Sequence, residues 1–244
     1  MRILVIGDSC EDVFIYGDIK RIAPEAPVPV IVPIRQESNP GMAANVVANL
    51  QALNADVDLV TNKDVIRKIR YVDDRYNQMV LRVDENDTCT RVDQKINTNY
   101  DAVIISDYDK GFLLDADIEM IAKSFLNINI PVFLDTKKQL GDWCQYISFI
   151  KINSLEYEKN SEIIPQYPIL QDKLIVTKGK HGCEYKGKVY NTTDVPVKDV
   201  SGAGDTFMSG LVVEYIKSND IDLAIKFAQE CTTIVVQKPG VATI

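Results

Sequence analysis

Histidine is almost absent from this sequence, and so is any surplus of positive charge; each shortage excludes a class of function. There is one histidine, His181. A zinc site built from several imidazoles is therefore excluded. A histidine base would have to be this residue, which sits between Lys180 and Gly182 in a turn. The net charge of −8 argues against a nucleic-acid or anionic-membrane partner. It leaves room for a small phosphorylated molecule, which needs only one local cationic site. The five cysteines (Cys10, Cys89, Cys144, Cys183 and Cys231) are odd in number and lack paired short spacing. That fits a reducing cytosol better than a disulfide framework. No apolar run reaches membrane-spanning length. Arg2-Ile3-Leu4-Val5-Ile6 is too short and too quickly polar for a signal peptide, so a cytoplasmic location is expected. There is no internal repeat and no low-complexity linker. Gly7-Asp8-Ser9-Cys10 offers no Gly-x-Gly-x-x-Gly, which argues against a dinucleotide-dependent dehydrogenase.

What the sequence does have is Asp199-Val200-Ser201-Gly202-Ala203-Gly204-Asp205-Thr206, followed by the helical pattern Phe207 to Ile216. Small residues opening a helix leave backbone N–H groups bare. The first-turn N–H groups have no intrahelical partner, and the helix dipole adds partial positive charge there. Such a turn is an anion site, and phosphate is its usual occupant. An aspartate in the first turn is also an ordinary cap. A carboxylate beside a phosphate cradle is equally what phosphoryl transfer to a hydroxyl requires.

The length of 244 residues suits one large α/β domain. Ile3–Ile6 reads as a strand buried on both faces. Val13–Tyr16 and Val28–Ile34 are β-rich and flank a proline-rich loop, so they are expected in a small separate sheet. A helix is expected over Gly41–Leu53 and a strand over Asp56–Thr61. Val65–Tyr71 and Gln78–Val83 form a hairpin that joins the small sheet. Beyond it, strands at Ala102–Ser106, Pro131–Leu134, Phe149–Ile152 and Leu174–Thr177 alternate with helices at Ala116–Leu126 and Ser154–Asn160. A hairpin spans Cys183–Tyr190, and helices over Ala203–Lys217 and Asp220–Val236 close the chain. Strand–helix alternation implies a mostly parallel sheet with helices on both faces.

Ligands in such folds sit beyond the carboxyl ends of the strands. The polar residues at that rim are Asp8 and Asp12, Asp107 and Lys110, Asp135 and Lys137, Asn153 and Glu156, and Thr177 and Gly179. Each alone suits a solvated loop or a cap. Their convergence with the Gly-Ala-Gly-Asp loop points to a site.

The run from Asp199 to Gly210 resembles the C-terminal motif of the ribokinase-like carbohydrate kinases of the phosphofructokinase-B type. Asn153-Ser154-Leu155-Glu156 is similar to that family's Asn-x-x-Glu motif. Val176 to Gly182 is similar to its nucleotide-side turn, and Gly41-Met42-Ala43-Ala44-Asn45 to its Gly-Gly-x-x-Asn motif. Tyr16 to Val30 and Ser106-Asp107-Tyr108-Asp109-Lys110-Gly111 resemble bacterial heptose-7-phosphate kinases. The resemblance implies one ribokinase-like α/β domain over 1–244, a three-layer sandwich with a β lid over about 11–34 and 64–84. It implies an ATP-dependent kinase acting on the anomeric hydroxyl of a heptose 7-phosphate.

In that reading Asp205 accepts the acceptor proton, with a low pKa expected from its place at a helix N-terminus. The N–H groups of Gly202, Ala203 and Gly204 hold the developing charge. Asp8, Asp12, Gly41, Asn45 and Asp107 grip the sugar, and Lys110 its phosphate. Asn153, Thr177, Gly179, Gly182 and Gly204 line the nucleotide, and Glu156 with Asn153 holds Mg²⁺ through water. A monovalent cation is an open addition, and a homodimer through the lid is expected. Two departures stand out: Met42 replaces the motif's second glycine, and almost nothing lies between Asn62 and Lys63, where the family carries a strand–helix segment. The nucleotidyltransferase domain sometimes fused to heptose kinases is not read in these residues, so activation to an ADP-sugar is expected to need a separate protein. Two rivals stay open: a related kinase for another sugar, sugar phosphate or nucleoside, and a catalytically idle binding protein derived from a kinase.

Overall fold

The computed structural model describes residues 1–238 and 240–244. The first strand, β1 (Arg2–Gly7), is buried from Ile3 onward. Ile3 and Val5 face one side and Leu4 and Ile6 the other, since side chains alternate along a strand. Each pair enters a different apolar core. The chain then makes a long antiparallel hairpin, β2 (Ser9–Ile22) with β3 (Pro29–Met42), bulged at Tyr16/Gly17 and Ile19/Arg21. Helix α1 (Ala43–Ala52) leads to β4 (Asp56–Thr61). Residues 62–65 connect directly to a second hairpin, β5 (Ile66–Asp73) with β6 (Gln78–Glu85).

The second half alternates: β7 (Ala102–Asp107), α2 (Asp115–Leu126), β8 (Val132–Thr136), β9 (Phe149–Asn153), α3 (Ser154–Lys159), α4 (Pro168–Gln171) and β10 (Leu174–Thr177). A short hairpin, β11 (Cys183–Tyr185) with β12 (Lys188–Tyr190), precedes α5 (Ala203–Ser218) and α6 (Ile221–Val235). The large sheet has the order β12-β11-β10-β9-β8-β7-β1-β4. It is parallel from β4 to β10 and antiparallel only at the β10–β11–β12 edge. One face is covered by the apolar side of α2, through Ile118, Ile121 and Phe125. The other is covered by α1, α5 and α6, through Val46, Leu50, Leu211, Val212 and Ile225. This is the three-layer arrangement expected from the alternation.

The small sheet has the order β3-β2-β5-β6 and stands apart from the large one. Its first hairpin is longer than the sequence suggests. Pro33 and Pro40 lie within β3, an edge strand, where a missing N–H costs no ladder bond. Gly41 and Met42 finish β3 rather than starting the helix, so α1 begins two residues later than expected. The short 62–65 link is the trimmed segment anticipated in the sequence.

Candidate active site

At the start of α5 the chain turns through Gly202, whose φ of 78° is left-handed. A Cβ there would lie 2.6 Å from Asn45 Nδ2, so both conformation and space require glycine. Ser201 N–H donates to Asp199 Oδ1 at 2.8 Å, which fixes the approach to the turn. Ala203 N–H donates to the Val200 carbonyl at 3.2 Å, and Thr206 N–H to the Gly202 carbonyl at 3.0 Å. The N–H groups of Gly202 and Gly204 have no acceptor among the described residues. The bare cradle is therefore made by the two glycines, while Ala203, expected to contribute its amide, has that amide engaged.

Asp205 follows on the first turn and is 4% exposed. Asn45, from α1, donates its Nδ2 to Asp205 Oδ2 at 2.7 Å. Tyr108, just after β7, donates its hydroxyl to Oδ1 at 2.9 Å. Asn49 donates to Asn45 Oδ1 and Thr206 to Asn49 Oδ1, so a buried polar network fixes which way the Asn45 amide points. The expectation of a low pKa fails. Burial pushes the Asp205 carboxyl up to about 6, and the nearby Asp135 adds to this. The hydrogen bonds from Asn45 and Tyr108 and the charge of Lys151 pull the other way without winning. Loss of water costs this carboxylate more than the helix end returns.

Asp205, Gly202 and Gly204 open onto a cavity of about 390 Å³ that Tyr108, Asp135, Lys137, Lys151, Asn153, Thr177 and Gly179 also line. Thr177, Gly179 and Gly204 continue into a smaller, more apolar cavity of about 120 Å³, closed by Gly182, Phe207 and Thr232. The four strand-end and turn residues expected on the nucleotide side thus lie together: Asn153, Thr177, Gly179 and Gly182.

Asn153 and Glu156 form a reciprocal cap on α3. Asn153 N–H donates to Glu156 Oε2 at 2.8 Å, and Glu156 N–H to Asn153 Oδ1 at 2.9 Å. Lys137 Nζ pairs with Glu156 Oε1. No cluster of three His, Cys, Asp or Glu that could ligate a metal occurs among the described residues. Each Glu156 oxygen keeps a lone pair for water. The donor set therefore fits a hydrated ion touched through water, as Mg²⁺ allows, and not one ligated by protein.

The residues expected on the sugar are placed less uniformly. Asn45 reaches the site through Asp205. Asp12 is 6% exposed and ion-paired to Arg70 Nη1 at 2.5 Å. Gly41 packs against it, since a Cβ there would fall 2.2 Å from Asp12 Oδ2. Asp8 is turned inward: its Oδ2 accepts the Tyr108 N–H at 2.7 Å and its Oδ1 meets Cys89 Sγ at 3.6 Å. Asp8 therefore anchors the segment carrying Tyr108. Asp107 is likewise internal, accepting from Thr136 Oγ1 and from the Asp109 N–H, and burial raises its pKa to about 6. Met42 occupies φ 58°, ψ −131°, a conformation that favours glycine, and packs on Cys10 and Ile66. Lys110 pairs with Asp87 at 2.6 Å. Nearby Lys68 is 8% exposed, makes no ion pair among the described residues, and has its pKa lowered by burial, with Arg82 and Lys110 adding to the effect.

Two side chains at the centre of this cavity escape a reading of the sequence. Tyr108 was visible only inside the Ser-Asp-Tyr-x-Lys-Gly stretch. Two ammonium groups approach its ring, Lys68 at 5.0 Å and Lys137 at 5.2 Å from the centroid. Lys151 interrupts the otherwise apolar Phe149–Ile152 run. A lysine inside a fully buried strand is the signal that could have found it.

A doubly covered parallel sheet with a bare-amide turn, a flanking carboxylate and a separate small sheet defines the class of ribokinase-like folds. The pfkB family carbohydrate kinase model matches residues 70–244. The chain belongs to the pfkB family of carbohydrate kinases. It is 29% identical to the bifunctional protein HldE of Bradyrhizobium diazoefficiens over 301 aligned positions, covering 99% of this chain and 60% of that protein. The chain thus spans about three fifths of the length of the curated relatives it matches. The aligned span exceeds the 244 residues here, so the relative carries segments that this chain lacks. The fold superposes on the ribokinase of Thermotoga maritima with a TM-score of 0.73 at 18% identity, covering 98% of this chain and 94% of that one. For the Arabidopsis thaliana ribokinase complexed with ribose and ATP, the TM-score is 0.72 at 14% identity, with 98% and 94% coverage.

Proposed function

We propose that this chain transfers the γ-phosphate of ATP to a sugar hydroxyl, and that the sugar is a heptose 7-phosphate reacting at its anomeric position. The observation that carries this reading is Asp205, held on both oxygens by Asn45 and Tyr108 at the wall of a cavity that also presents the free Gly202 and Gly204 amides. The acceptor hydroxyl gives its proton to Asp205 as its oxygen bonds to the γ-phosphorus. The bond from that phosphorus to the β,γ-bridging oxygen breaks, and ADP leaves. A carboxylate poised near 6 is a better base than an ordinary aspartate and is ionised at neutral pH. Phosphoryl transfer asks mainly for alignment and charge stabilisation, which the two amides supply. Mg²⁺ bound with the nucleotide would neutralise phosphate charge, with Asn153 and Glu156 holding its water shell. The cavity lined by Gly182, Phe207 and Thr232 suits the adenine.

The small sheet would close over the sugar and exclude water, a competing acceptor. Its exposed Val32, Ile34, Met79 and Leu81 support a homodimer through this lid, which would cover otherwise unpaired edges. The phosphorylated end of the sugar fits the Lys68, Arg82 and Lys110 cations on the lid side.

The first test is ADP release with ATP and a panel of sugars and sugar phosphates. A 7-phosphorylated heptose is expected to give the highest kcat/KM. Lys110→Ala is expected to raise KM for that substrate about tenfold, the worth of one charge-assisted hydrogen bond, and to leave the unphosphorylated sugar unaffected. Equal weakening of both would remove Lys110 from the phosphate.

A further inference from the structure

Tyr108 is anchored through its backbone and free at its ring. Asp8 Oδ2 accepts its N–H at 2.7 Å. The next residue, Asp109, is left-handed at φ 58° and pairs with Lys138. The main chain is therefore held on both sides of the ring. The side chain is held more loosely. Its hydroxyl makes one hydrogen bond among the described residues, to Asp205 Oδ1 at 2.9 Å. The ring rests on the small cluster of Cys10, Met42 and Ile66. One of the two ammonium groups beside it, Lys68, belongs to the lid strand β5.

The two donors on Asp205 are not equivalent. Asn45 is 1% exposed, lies outside the cavity wall and is locked by Asn49. Tyr108 lines the cavity together with Asp205, so the oxygen it covers, Oδ1, is the one on the cavity side. That is the oxygen an acceptor hydroxyl must reach, and the tyrosine offers it the same chemical group. Burial, with the charges of Asp205 and Asp135, holds the Tyr108 hydroxyl well above the usual tyrosine pKa, so it stays a donor. Water is the acceptor that a kinase must refuse while no sugar is bound. A hydrogen bond to a carboxylate disfavours a competitor that brings no other contact by about tenfold or more. A sugar does bring other contacts, and binding energy from its remaining hydroxyls can be spent on the displacement.

We propose that the Tyr108 hydroxyl is a specificity-determining group that discriminates sugar from water. In the sugar-free protein it occupies the acceptor's place on Asp205 Oδ1. A sugar held by its other hydroxyls displaces it, and a lone water does not. With the hydroxyl gone, water would give a proton to Asp205 as its oxygen bonds to the γ-phosphorus. The bond from that phosphorus to the β,γ-bridging oxygen would break, and ADP and inorganic phosphate would leave. The lid excludes water once a sugar is in place, whereas Tyr108 acts before the sugar arrives. The inference rests on the phosphoryl-transfer reading above.

The test is ADP release from ATP alone and from ATP with a heptose 7-phosphate, in the wild type, Tyr108→Phe and Tyr108→Phe/Asp205→Asn. Melting temperature checks that each variant is folded. Tyr108→Met, flexible enough to refill the ring's place, carries the same expectation if the phenylalanine variant does not fold. Tyr108→Phe is expected to raise the sugar-free rate about tenfold, and with it the ratio of sugar-free to sugar-dependent release. The gain is expected to vanish in the double variant, because the water needs Asp205 as its base. Loss of a merely structural tyrosine would lower both rates together. Such a joint fall, an unchanged sugar-free rate in a folded variant, or a gain that survives Asp205→Asn overturns the inference and leaves the kinase reading standing. A wild type that releases no ADP with any sugar of the panel overturns the kinase reading and the inference with it.

Discussion

Asp205→Asn is expected to lower kcat about 10³-fold, within the range for removing a general base, while the folded protein becomes no less stable. The amide is isosteric with the carboxylate and can still accept from Asn45 on its oxygen. Tyr108 can rotate its hydroxyl to meet the new NH₂ group. What is lost is the capacity to take the acceptor's proton. Stability moves the other way because the carboxylate is costly where it lies. Its folded pKa of about 6 is above the ordinary value of 3.8. Between those values the folded chain binds more protons than the unfolded one. Stability therefore falls as pH rises from about 4 to about 6 and stays lower above that window. The asparagine carries no such penalty, so at neutral pH the variant gains up to about 3 kcal/mol. Thermal melting alongside ADP release checks both halves. Near wild-type turnover in a folded variant would remove Asp205 from the chemistry.

Gly202→Ala should show the opposite combination, with activity and stability both lost. The alanine must adopt a left-handed conformation, which costs about 1–2 kcal/mol. Its Cβ would also lie 2.6 Å from Asn45 Nδ2 and 3.2 Å from Val241 Cγ1. The amide is not at the end of a flexible chain, because Asn45 is tied to Asp205 and Asn49. Relief of the clash therefore shifts the base and the bare N–H group together. Losing one such donor accounts for about 10²-fold in kcat, and displacement of Asp205 adds to it. A lower melting temperature with kcat unchanged would mean that the turn is only a helix cap.

Much of this architecture was readable from local pattern. Asp56–Thr61 and Leu174–Thr177 were bounded correctly because short β-rich runs between turn residues have few alternatives. The 183–190 hairpin followed from its Lys186-Gly187 turn. The length of the first lid hairpin was not readable. Val28–Ile34 reads as β-rich, but the polar run from Arg35 to Asn39 and Pro40 hide the continuation of β3 to Met42 until it is known to be an edge. The motif residues around Asp205 stood out because glycine spacing is a local signal. Their partners did not. Asp8 and Asp107 are strand-end carboxylates in the sequence, but the fold turns both inward as supports, one beneath Tyr108 and one against Thr136. The direction of the Asp205 pKa was misjudged for the same reason. A helix N-terminus is visible in a sequence, whereas burial contributed by residues far away in the chain is not.

The most direct measurement is the pH dependence of kcat/KM for ADP release, from about pH 5 to about pH 9, in the wild type and in Asp205→Asn. The wild type should lose activity about tenfold per pH unit below an inflection near 6. The residual activity of the variant should lack that limb. A wild-type profile flat down to about pH 5, or an acid limb retained in Asp205→Asn, would contradict a carboxylate base at this position.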